Sequence, residues 1–214
     1  MPLASAAQMF VELLDRLRCP NRHEDMPLVA TASRTVDRHI VEGTLGCPVC
    51  GAEYRVHGGA VEFGDEAHEP GAIDDAIAGE RTLRLGALLG LDDRGGLYVV
   101  DFSGARLVKW LAELSPLSQF IAFSGGDAIE GAGVVIRGRG GVLPLARACA
   151  RGVALDDPSP GLLRSAVDAL VPGGRLVAPA EAAVPGGIAL LARDDEQWVG
   201  EREAVPALTV IRRR

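Results

Sequence analysis

Aromatic side chains make up only 4% of this 214-residue chain, so any core must be assembled mainly from Leu, Val, Ala and Ile. No apolar run approaches the roughly 20 residues that a helix needs to cross a bilayer, and a transmembrane segment is not expected. The N-terminus lacks a basic region followed by an apolar stretch and a small-residue cleavage site, so we expect no signal peptide and a cytoplasmic location. Nearly all positive charge is arginine. Lys109 is the only lysine, and the formal net charge is −7. Phosphate neutralisation by a basic stripe supplies most nucleic-acid affinity, and this chain has no such stripe, so nucleic acid is not an expected partner. Arg212, Arg213 and Arg214 form a basic tip that reads as a solvated tail.

What is present is enough for a substantial core. Apolar residues make up 48% of the chain, and its length accommodates one medium domain with a small accessory one. The pattern divides it into residues 1–63, a linker at 64–73 rich in glycine and charge, and residues 74–214. Phe10, Leu13, Leu14 and Leu17 fall at helical spacing, predicting a helix from Ser5 to Leu17 that stops at Cys19-Pro20. Short strands are predicted around Thr35-Val36, His39–Val41, Tyr54–Val56 and Val61–Phe63, the last two separated by His57-Gly58-Gly59. A helix is predicted over Asp74–Leu91. Beyond it, apolar strands at Leu97–Asp101, Phe120–Phe123, Val134–Ile136, Val153–Leu155 and Leu176–Ala178 alternate with helices at Arg106–Leu114, Leu145–Ala150 and Pro160–Leu170. That alternation implies an α/β fold with a parallel sheet and crossover helices. Gly187–Ala192 and Ala207–Arg212 read as a closing antiparallel pair with Trp198 between them.

Three of the four cysteines cluster in the first region. In a chain with no secretory signal, clustered cysteines point to metal before disulfide. Zinc takes four thiolate or imidazole ligands in a tetrahedron, commonly two from each of two knuckles. Cys47-Pro48-Val49-Cys50-Gly51 is one such half site. The other is Cys19-Pro20-Asn21-Arg22-His23, where Arg22 occupies the usual second-cysteine position and His23 follows it. The expected ligand set is therefore Cys19, His23, Cys47 and Cys50, with His39 and His57 as rivals for the fourth place. Cys149 lies far from the cluster, on the expected helix, and reads as core.

The segment from Leu13 to Phe63 resembles the small zinc-ribbon activator subunits of tRNA and release-factor methyltransferases. The resemblance rests on Leu17-Arg18-Cys19-Pro20, on Cys47-Pro48-Val49-Cys50-Gly51, and on Tyr54 followed by the Gly58-Gly59 turn. It implies a ribbon that serves structure and docking, not catalysis.

From about Arg81 onward the chain resembles class I S-adenosylmethionine-dependent methyltransferases. The resemblance rests on Tyr98-Val99-Val100-Asp101-Phe102-Ser103-Gly104-Ala105, on Val153-Ala154-Leu155-Asp156-Asp157, and on Leu170-Val171-Pro172-Gly173-Gly174-Arg175-Leu176. It implies a Rossmann-like sheet of strand order 3-2-1-4-5-7-6, with Ala207–Arg212 as its reversed seventh strand. It also implies a cofactor site at Asp101, Ser103, Gly104, Ala105, Ser124 and Asp156. The family's first loop needs glycines for unusual backbone angles and close cofactor approach. Here Ser103 and Ala105 stand at glycine positions, with Gly104 between them. The second strand should end in an acid that holds the ribose hydroxyls, and this chain has Ser124. Asp156-Asp157-Pro158-Ser159-Pro160 could stand for a catalytic loop, but it lacks the stacking aromatic. Ser159 as helix cap with Pro160 in the first turn is the stronger reading.

Two functions fit. The first, favoured by the altered loop, is a noncatalytic methyltransferase-fold protein with a fused zinc ribbon, acting as a protein-binding or assembly subunit within a larger complex. The alternative is an active S-adenosylmethionine-dependent methyltransferase with a divergent cofactor loop. A sensor binding another nucleotide or metabolite in the same cleft is a third.

Overall fold

A computed structural model of the chain describes residues 9–64, 75–101, 105–123, 132–137 and 141–204. Among these, the strands join into one sheet of twelve.

The first region is a β ribbon. Strand β1 (Met9–Phe10) is followed by a 3₁₀ helix (Val11–Arg16), then by β2 (Val29–Val36), β3 (His39–Gly46), β4 (Glu53–His57) and β5 (Ala60–Glu62). In β4, Tyr54 and Val56 are buried while their neighbours face solvent, the two-residue alternation of a strand with one covered face. The Ser5–Leu17 helix expectation needs correction. Met9 and Phe10 pair with Ile40 and His39 of β3, and only six residues then coil, as 3₁₀. Residues 1–8 lie outside the described residues. A short apolar stripe satisfies either geometry, and here strand pairing decides.

The second region contains α1 (Asp75–Leu89), β6 (Gly96–Val100), α2 (Val108–Leu114), β7 (Ser118–Phe123), β8 (Val134–Arg137), β9 (Ala150–Ala154), α3 (Pro160–Ala169), β10 (Leu170–Pro179), β11 (Ile188–Arg193) and β12 (Gln197–Arg202). Its strands run in the order β8-β7-β6-β9-β10-β12-β11. All neighbouring pairs from β8 to β10 are parallel, and β12 is antiparallel to both β10 and β11. Numbered from β6, this is 3-2-1-4-5-7-6 with the seventh strand reversed, the Rossmann-like methyltransferase sheet. Ser159 caps α3, its hydroxyl accepting the Leu162 N–H at 3.2 Å with Pro160 in the first turn. The Pro172-Gly173-Gly174 signature forms an irregularity in β10: the register with β9 shifts between Leu170 and Arg175, and Gly173 takes φ +78°.

Two further expectations are corrected. The reversed strand is Gln197–Arg202, with a fully buried Trp198 inside it, while Ala207–Arg212 lies outside the described residues. Residues 145–150 form no helix: Leu145 bridges to Leu17, Ala148 takes φ +50°, and Ala150 begins β9. Cys149 is nonetheless buried, as expected of a core residue. Apart from Gly64, the expected linker 64–73 lies outside the described residues.

The two regions share one sheet. Strand β5 is antiparallel to β4 on one side and parallel to β8 on the other, pairing Ala60 with Val135, Val61 with Ile136 and Glu62 with Arg137. Arg137 also donates to the Glu62 carboxylate at 3.1 Å. Below the sheet a single apolar cluster runs from Leu13, Leu17, Leu45 and Tyr54 of the ribbon to Ile121, Ile136 and Leu145 of the second region. Along the first segment, Leu14 is partly buried against the cluster and Phe10 stays 37% exposed, while Met9, Leu13 and Leu17 carry the burial. Backbone bonds from Phe10 to Gly133, Arg18 to Pro144 and Ala146 to Arg16 close the seam.

Candidate functional site

Two sites lie on this frame, one in the ribbon and one at the carboxyl ends of the parallel strands.

In the ribbon, the turn before β2 and the turn between β3 and β4 bring Cys19, His23, Cys47 and Cys50 together, with all four candidate ligand atoms within 4.8 Å of one another. The Cys19 and Cys50 sulfurs are 3.7 Å apart. Two thiolates about 2.3 Å from one tetrahedral zinc would stand roughly 3.8 Å apart. Cys47 Sγ lies 3.4 Å from His23 Nε2, again near a tetrahedral edge. Gly51, at φ +69°, turns the second knuckle, and its N–H donates to the Cys47 carbonyl at 2.9 Å.

The surrounding groups orient these donors. His23 Nδ1 lies 2.7 Å from the Glu24 carbonyl, which fixes the tautomer leaving Nε2 as ligand. That hydrogen bond is also the main reason the imidazole pKa is raised; metal binding at Nε2 displaces the proton. The Asn21 amide donates to the Cys50 sulfur at 3.4 Å. With the Ala52 backbone N–H, it lowers the Cys50 thiol to about 6. Burial pushes the Cys19 thiol up, opposed by a hydrogen bond 3.2 Å long with the Tyr54 hydroxyl. The rival histidines are engaged elsewhere. His39 bonds the Val36 carbonyl and packs on Phe10, and His57 pairs with Glu42. The donor set, spacing and oriented neighbours fit zinc. Sequence reasoning named the four residues but missed Asn21 and Tyr54 as their partners, because a hydrogen bond to sulfur leaves no spacing signal.

The second site is a cleft of about 280 Å³. It lies where strand order reverses between β6 and β9, the usual ligand position of an open α/β sheet. Asp101, Ala154, Leu155 and Asp156 form its floor, Val177 to Pro179 one wall, and Arg81 and Arg84 of α1 another. Asp101 is 7% exposed, and its carboxylate accepts the Asp156 backbone N–H at 3.4 Å while its carbonyl accepts the Ala105 N–H at 2.8 Å. The acid thus ties two strand ends and the start of the following turn together. Ala105 is fully buried. Across the mouth, Arg84 pairs with Asp194 at 2.7 Å and Glu196 at 3.2 Å. Of the six expected cofactor residues, the structure brings Asp101, Ala105 and Asp156 together; Ser103, Gly104 and Ser124 lie outside the described residues.

Strand order and direction define the class of the second region: it has a Rossmann-like methyltransferase fold, preceded in this chain by a cysteine-histidine ribbon. Residues 11–59 match the model of the Trm112p-like protein family, so the N-terminal region is Trm112p-like. No curated protein matches the sequence. Among solved structures, the antibiotic-resistance methyltransferase Kmr is similar at 14% identity over 58% of this chain and 93% of its own, with a TM-score of 0.40. An S-adenosyl-L-methionine methyl transferase from Silicibacter pomeroyi is similar at 14% identity over 60% of this chain and 94% of its own, with a TM-score of 0.41. The pyocyanin biosynthetic protein PhzM is similar at 16% identity over 56% of this chain, which spans 54% of PhzM, with a TM-score of 0.40.

Proposed function

We propose that this chain is a noncatalytic scaffold, a methyltransferase-fold domain with its own zinc-holding activator-like ribbon docked in cis, and that it serves as a protein-binding or assembly subunit. The pairing of β5 carries this reading. A strand hydrogen-bonded on both sides has no edge left to offer, and β5 lies between β4 and β8. A partner would therefore meet the composite at other surfaces, and the ribbon's first role is to complete the sheet and core of its own chain.

The cleft supports the noncatalytic half of the proposal. Cβ atoms and a hydroxyl stand where the first loop needs glycines. Asp101 is buried and accepts the Asp156 backbone N–H. The alternative, an active methyltransferase with a divergent loop, would place S-adenosylmethionine in this cleft; micromolar binding would favour it.

Truncation before α1 tests the cis docking. Residues 72–214 alone should be poorly soluble or markedly less stable than the full chain, because β8 loses its neighbour and Val134 to Ile136 lose the ribbon's apolar cover. A truncated domain as stable as the parent would contradict the docking.

A further inference from the structure

A second cavity, of about 180 Å³, lies at the opposite end of the central strands, beside the C-terminus of α1. Its polar lining comes from Asp92, Tyr98, Arg151, Arg175 and Glu201. Three glycines make room for these side chains. A Cβ on Gly96 would lie 2.4 Å from the Arg151 side chain, one on Gly152 would lie 2.8 Å from the Tyr98 ring, and one on Gly90 would lie 3.1 Å from the Arg175 guanidinium.

The charges here do not all pair. Arg151 and Asp92 neutralise each other through two hydrogen bonds of 2.7 and 2.9 Å, and Arg151 also donates to the Gly95 carbonyl. Arg175 uses one terminal nitrogen to donate to the Ala87 and Leu88 carbonyls, where the end of a helix attracts positive charge. Glu201 stands directly across from Arg175 in the register of β10 and β12, yet the two make no ion pair. Tyr98 is fully buried, and its hydroxyl has no hydrogen-bond partner among the described residues. An orphaned buried hydroxyl is rare in native proteins and calls for a water or a ligand. What remains is one cation, one anion and one hydroxyl around a space of a few heavy atoms.

We propose that this cavity is a ligand site for a small zwitterion of the α-amino-acid class, with Arg175 and Tyr98 holding the carboxylate and Glu201 the ammonium group. A simple anion would face Glu201 and a simple cation would face Arg175, so only a ligand bearing both charges satisfies both. The site is independent of the switch-point cleft, which lies at the other end of the same strands.

The test is calorimetric titration of the full chain with glycine, with acetate and methylammonium chloride as probes of each charge alone. Glycine should bind saturably and the two half-ligands at least about tenfold more weakly, since a hydrogen bond to a charged group contributes about that factor or more. Glu201→Gln and Tyr98→Phe, both conservative in shape, should each weaken glycine binding while the chain stays folded. No saturable heat with glycine, or equal binding in the Glu201→Gln variant, would overturn the proposal. So would a Tyr98→Phe chain that binds glycine unchanged.

Discussion

The two sites of this chain treat their polar residues in opposite ways. In the ribbon, three of the four donors are steered toward a common centre: Cys50 by Asn21, Cys19 by Tyr54, and His23 by the Glu24 carbonyl. In the cleft, two described polar residues turn toward the protein itself: Asp101 toward the Asp156 backbone, and Arg84 toward Asp194 and Glu196. A fold can persist while one site is maintained and another becomes part of the framework, because function resides in the site and not in the fold. The ribbon has a structural reason to remain intact, since its last strand completes the sheet of the second region.

If that contrast is right, metal removal should have the largest effect. Structural zinc contributes about 10–16 kcal/mol to folding in isolated zinc-finger peptides, so a strong chelator, or Cys47→Ser, should unfold the ribbon and lower the melting temperature of the whole chain. Amide exchange should locate the damage. Val134 to Arg137 should lose protection along with β5, whereas Val177 and Ala178, on the far side of the sheet, should lose least. Tyr54→Phe sharpens the comparison without removing a ligand. Losing an oriented partner typically weakens metal binding about 10- to 100-fold, which competition with a chromophoric chelator would measure. An unchanged affinity would mean that the hydroxyl does not steer Cys19.

Smaller effects belong to the second region. Ser159→Ala should destabilise the chain by about 1 kcal/mol through loss of the α3 cap, read by denaturant unfolding. Asp92 provides a pH signature. The Arg151 guanidinium, and secondarily the Arg94 backbone N–H, hold its carboxyl down at about 2, below an unfolded value of about 3.9. Its contribution is thus fully present above about pH 4 and fades as pH falls toward 2. Asp92→Asn should be less stable than the parent at neutral pH, and the gap should narrow across that acid window. A constant gap would remove Asp92 from the acid response.

Much of this organisation was legible in the sequence. Parallel strands buried on both faces read as apolar runs, and Leu97 to Val100, Phe120 to Phe123 and Val134 to Ile136 declared themselves that way. Ser159-Pro160 marked its helix by residue type, and the cysteine spacing marked the knuckles. What stayed hidden depends on residues far apart in the chain. Met9 and Phe10 become strand because β3 is there to receive them. Residues 145–150 lose their expected helix to contacts with Leu17 and Arg16. Nothing local to Ala60–Glu62 announces that its partner is Val135 to Arg137, far along the chain. The Arg151–Asp92 pair and the orphaned Tyr98 hydroxyl are hidden for the same reason.

The most direct test of the contrast combines metal analysis with calorimetric titration of S-adenosylmethionine and S-adenosylhomocysteine on the same purified sample. The account predicts about one zinc per chain and no binding of either nucleoside even at millimolar concentration. Micromolar binding of S-adenosylmethionine would contradict it, returning the cleft to the enzymes whose fold it shares.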